Sequence, residues 1–61
     1  MEELRSKLGG ITNSLQAELV KFEHGNKSAG TRARALCLEM KDLTGAIRKR
    51  IQEVKNANKG A

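Results

Sequence analysis

Leu4, Leu8, Ile11, Leu15, Leu19 and Phe22 recur at steps of three and four along the first third of the chain. At about 100° per residue these six positions fall within an arc of about 80°, the apolar stripe of an amphipathic helix. A second stripe comprises Ala29, Ala33, Leu36, Met40, Leu43, Ile47, Ile51 and Val54, with an arc of similar width. Between them, His24-Gly25-Asn26 reads as the end of one helix and the start of the next. Gly25 suits the left-handed position after a helix C-terminus, and Asn26 or Ser28 can cap the second helix. The pattern predicts one domain over 1–61: a helix over about 3–23, a turn at about 24–27, a helix over about 28–56 and a frayed tail at 57–61. Gly9 and Gly10 interrupt the first helix and weaken it by roughly 1 kcal/mol each relative to alanine. They mark either a close backbone approach or local fraying.

A short connection between two amphipathic helices predicts an all-α fold, an antiparallel helical hairpin with a longer second helix. Pairing outward from the turn sets Phe22 near Ala29, Leu15 near Leu36, Ile11 near Met40 and Leu4 near Ile47. Ile51 and Val54 then project past the partner helix. A chain of 61 residues buries only about 60% of the surface its unfolded form exposes and usually needs a staple or a partner. One cysteine and one histidine supply neither an internal disulfide nor a Cys/His zinc framework. The remaining route is association, so the expected state is a homodimer in a four-helix or coiled-coil-like arrangement. Its core would draw on Leu15, Leu19, Phe22, Leu36, Met40, Leu43, Ile47, Ile51 and Val54.

Charge changes the picture. The net charge is +5, with residues 1–25 at −1 and residues 26–61 at +6. Lys27, Arg34, Lys41, Arg48 and Lys55 stand seven positions apart. Each heptad drifts by only about 20° on a straight helix, so they make one row about 42 Å long on the side away from the apolar stripe. Lys49 borders the row, and Arg32 and Arg50 flank the apolar side. Glu39, Asp42 and Glu53 gather on one shoulder, where pairing with cations one turn away is expected. A charged face often serves only to solvate a helix. Here the row contains no acid, exceeds one turn of duplex DNA (about 34 Å), and belongs to an otherwise nearly neutral chain. It therefore points to a polyanion.

Double-stranded DNA is the expected partner, held at its phosphates by Lys27, Ser28, Arg32, Arg34, Lys41, Arg48, Lys49 and Lys55. Base reading is not expected: Gln52 and Asn56 share the basic side and could touch base edges, but two amides in a fraying helix end are too few to specify a sequence. Stacking platforms are missing, because Phe22 is the sole aromatic and belongs to the apolar stripe. The helix start at Lys27 and Ser28 also offers free N–H groups to a phosphate. "GNKSAG" is not a nucleotide loop, for it lacks the glycine pattern and the preceding strand.

The remaining reactive residues do not assemble a catalytic site. Cys37 projects to the edge of the apolar stripe as a small hydrophobe. His24 sits at a helix C-terminus, where an imidazolium would favour the dipole and cap carbonyls. No second histidine, carboxylate pair or serine constellation accompanies it, so neither an enzyme, a metal, a cofactor nor a small-molecule substrate is expected. Leu38 falls within the basic face and Val20 outside the first stripe; a single exposed leucine needs no explanation, and the alternative is a wider dimer contact that covers both. The charged start "MEELRSKLGG" is unlike a signal peptide, and no stretch approaches the roughly 20 apolar residues of a membrane span. The expected location is cytoplasmic.

Gly25, Asn26, Lys27, Ala29, Gly30, Thr31, Arg32, Ala33 and Arg34 match a "GNKAAGTRAR"-like segment, and Leu38-Glu39 and Arg48-Lys49 continue the likeness. From Leu15 to about Lys55 the chain resembles the bacterial linker-histone-like nucleoid proteins, the chlamydial histone-like family. The resemblance implies DNA binding and chromosome compaction. Chlamydial members continue into a long basic C-terminal tail, whereas this sequence reads as a short form that ends at "NANKGA". The competing reading is a coiled-coil interaction module whose cations face an acidic protein. A membrane-surface helix is disfavoured, since the stripe is aliphatic and committed to the hairpin.

Overall fold

The computed structural model describes residues 1–59, with side chains described as far as Ala57. Two helices, α1 (Glu2–Glu23) and α2 (Lys27–Lys59), pack antiparallel as a rod of 54 × 16 × 12 Å. Glu2 and Glu3 in the first turn of α1 and Lys21 in its last complement the helix dipole.

The turn works through backbone geometry. Gly25 has φ +99°, a left-handed conformation that costs other residues steric strain. Asn26 N donates to Lys21 O at 3.1 Å and Gly25 N to Phe22 O at 3.0 Å, the paired bonds of a Schellman motif. Asn26 then starts α2, its side-chain oxygen accepting from Ala29 N at 3.2 Å. Of the two candidate caps, Asn26 is the one used. His24 donates through Nδ1 to Val20 O at 2.7 Å, so the ring satisfies a carbonyl of the last turn.

Two contacts fix the register. The Phe22 ring lies on the backbone at Gly30, where an added Cβ would come within 2.8 Å of Cδ1 and Cε1. Closer to the middle of the rod, Arg32 pairs with Glu18. These bracket the expected alignment by one residue on either side. Small residues let the helices approach at the turn end: Ala29 is fully buried and Ala33 nearly so. Further along, Leu43 is buried, while Leu4, Leu8, Ile11, Leu15, Leu36, Met40 and Ile47 are half-buried. Among the described residues no large side chain is fully buried. Ile51 and Val54 lie exposed on the projecting end of α2.

Three details depart from the sequence expectation. Leu19 is 45% exposed, and Glu18 occupies the seam beside it at 8% exposure. The reason is phase: Glu18 continues the seven-residue spacing of Leu4 and Ile11, and Leu19 falls on the edge of the arc. Next, α2 continues through Lys59. The first three residues of the expected frayed tail are thus helical, and positions 60–61 lie outside the described residues. Finally, a Cβ at Gly9 or Gly10 would meet nothing within 4 Å, so no close approach within the hairpin requires either glycine.

Candidate nucleic-acid interface

Lys27, Arg34, Lys41, Arg48 and Lys55 are all exposed along α2, as are Ser28 and Lys49. Among the described residues the ion pairs are Lys7–Glu3 at 3.7 Å, Lys21–Glu18 at 3.4 Å and Arg32–Glu18. None involves a cation of the row. The expected pairing of Glu39, Asp42 and Glu53 with cations one turn away is absent, and the sequence spacing explains it. Three and four residues from Glu39 and Asp42 there is no cation at all. Glu53 has Lys49 and Arg50 only on its N-terminal side, the less favourable order along a helix. The row is therefore electrostatically uncompensated, more fully than the clustering of acids on one shoulder suggests.

Arg32 stands apart from that row. Its Nε donates to Glu18 Oε2 across the helix interface. Lys21 Nζ lies 3.4 Å from Oε1, yet this buried oxygen has no hydrogen-bond donor. The Arg32 hydrogen bond holds the Glu18 carboxyl below the ordinary glutamate range, against burial, which acts the other way. The same bond raises Arg32 further into its charged form. Arg32, expected among the phosphate-binding residues, thus commits its guanidinium Nε to the hairpin seam. Gln52 Nε2 donates to Asn56 Oδ1 at 3.2 Å, so the two amides on the basic side engage each other.

The start of α2 adds to the positive field. Its first turn contains no acidic residue, so nothing offsets the dipole beside Lys27. Leu38 is 66% exposed within this face and Val20 is exposed on α1. Cys37, expected to pack half-buried at the edge of the stripe, is instead an exposed free thiol beside the open groove. Among the described residues no group of three or more His, Cys, Asp or Glu is placed to hold a metal. No helix there is long and apolar enough to cross a membrane.

An acid-free cationic row on a two-helix rod is an arrangement suited to a polyanion. The model of one family, histone H1-like protein Hc1, matches residues 2–57. The chain belongs to the histone H1-like Hc1 family. The match extends over nearly all of α1 and α2, well past the Leu15–Lys55 stretch that carries the resemblance in sequence. No curated protein and no solved structure matches the chain. Membership in this histone-like family makes it a DNA-binding protein of the nucleoid class.

Proposed function

We propose that the hairpin binds duplex DNA through phosphate contacts from the outer row of α2, with little sequence preference, and so organises or compacts it. The observation that carries this reading is the exposure of Lys27, Arg34, Lys41, Arg48 and Lys55 without a salt-bridge partner among the described residues. Phosphates that replace solvent around such cations release counterions, which drives binding and makes it salt-dependent. Lys49 lies beside the row and Ser28 beside the helix start, where N–H groups reinforce Lys27. Arg32 commits its Nε to the seam, but its side chain stays 49% exposed, so its terminal nitrogens can still meet a phosphate. Two amides, Gln52 and Asn56, joined by one hydrogen bond, are a small set for base reading beside a row of cations, which favours sequence tolerance.

The functional unit in this proposal is a homodimer. A hairpin in which no large side chain is fully buried, and in which Leu19, Phe22, Ile51 and Val54 stay exposed, lacks the core that an isolated small domain needs. In such a dimer the row cations that stay clear of the contact between copies would face DNA from both hairpins.

Competition between duplexes of unrelated sequence tests the proposal. Equal displacement of a labelled random duplex is expected. Discrimination of tenfold or more, about 1.4 kcal/mol, would overturn the phosphate-only mechanism. The double substitution K41E/R48E, in protein whose mass shows the same oligomeric state as the native chain, should weaken binding at every salt concentration, and unchanged retention of DNA would reject the row.

A further inference from the structure

The hairpin leaves an open groove of about 450 Å³ beside its turn. Leu19 and Phe22 from α1 and Ala33 and Cys37 from α2 line it, with Lys27 and Arg34 on its rim. Leu19 and Phe22 are about half exposed there. The chain cannot fill this groove with its own spare apolar residues. Ile51 lies on the same continuous helix, about 27 Å along from Ala33, and reaching back would require α2 to break.

We infer that the groove is the centre of a two-fold contact with a second copy of the chain, turn end beside turn end, with α1 of each copy over α2 of the other. This rests on the homodimer reading above and specifies it. The charge on the two edges of the groove selects the arrangement. On α1, Glu23 follows the groove-lining Leu19 by four residues and so falls on the same face, while the α2 side carries Lys27 and Arg34; all three are exposed. A two-fold axis parallel to the helices exchanges these sides and sets Glu23 of one copy at the level of Lys27 of the other. Acid then faces cation twice across one interface. The reverse arrangement would lay the projecting end of α2, where Arg50 and Lys55 flank Ile51 and Val54, on a rim of Lys27 and Arg34. Like charges would meet there, which disfavours it. The favoured axis also sets the two Ile51 and Val54 ends side by side, so one operator serves both exposed apolar patches. Lys41 and Lys49 remain on the outer face for phosphate.

The test uses the full chain with one thiol at a time. Sedimentation equilibrium gives the mass, and a short bismaleimide reports proximity in the variant T31C/C37S, whose new thiol lies in the groove wall. Turn-to-turn pairing brings the two position-31 thiols to one level. Reversed pairing separates them by at least about 20 Å, beyond the reagent. A dimer that crosslinks at position 31 supports the proposal. A dimer that does not, but forms a mixed 31–52 product when T31C/C37S is combined with Q52C/C37S, overturns this contact and leaves the homodimer standing. A monomer at every concentration overturns both, whatever the DNA titration shows. Charge reversal supplies a second arm: E23K should weaken the dimer about tenfold or more, and E23K/K27E should recover most of that loss. Equal dimer strength in all three proteins would contradict the pairing of Glu23 with Lys27.

Discussion

Glu18 is the residue on which the hairpin's register turns. Arg32 reaches it from α2, and Lys21 approaches from the next turn of α1. The folded carboxyl holds its proton less tightly than the unfolded one. The unfolded chain therefore binds more protons on acidification. This contribution is complete above the ordinary glutamate value of about 4.3 and is lost as the pH falls below it toward the lowered folded value. Melting temperature should drop across that window, and E18Q should flatten the drop; an equal pH dependence in both proteins would contradict the role. R32A should destabilise the hairpin more than K7A, because Lys7 and Glu3 are both well exposed. Phe22 and Gly30 make the second residue-scale test. In an F22A background, G30A should recover about 1 kcal/mol of helix propensity. In the native background the ring collision offsets that gain, and thermal melts of the four proteins measure the coupling. The apolar stripe was legible in sequence, but the exchange of Leu19 for Glu18 was not. Periodicity alone favours the apolar neighbour, while the burial of Glu18 depends on Arg32 standing opposite, a fact of tertiary register.

At the scale of elements, the turn was the most readable feature. Gly25 supplies the positive φ and Asn26 the cap, and both follow from local chemistry. G25A should cost about 1–2 kcal/mol from the left-handed strain, and N26A about 1 kcal/mol from the lost cap. By contrast, G45A should stabilise α2 by about 1 kcal/mol, since a Cβ there meets nothing within 4 Å. Denaturant midpoints with unchanged slopes would check all three. The far end of α2 was less readable. A polar composition suggested fraying after Asn56, but residues 57–59 contain neither glycine nor proline, and the Gln52–Asn56 bond ties together the turns before them. Helix propensity, which polarity does not oppose, carries α2 to Lys59.

The whole molecule is a thin rod with one compensated and one uncompensated side. Along the seam, charge is neutralised by Glu18; along the outer row no acid intervenes. The row was legible because a heptad spacing keeps its members on one strip, and its lack of ion pairs comes from where Glu39, Asp42 and Glu53 fall. The proposed contact between copies was not legible, since it rests on a groove that neither helix forms alone. The thinness of the core predicts that stability grows with protein concentration, as it does for coupled folding and association. The proposed mechanism is at bottom electrostatic: duplex DNA lies along the outer row of α2. Its decisive test is the slope of log affinity against log salt for random duplex DNA, compared between the native chain, K41A/R48A and the control R5A/K7A. Loss of two phosphate contacts should reduce the slope by about 1.8 in K41A/R48A, at about 0.9 per contact, with the control unchanged. Equal slopes for the row variant and the native chain would rule out phosphate binding by this row.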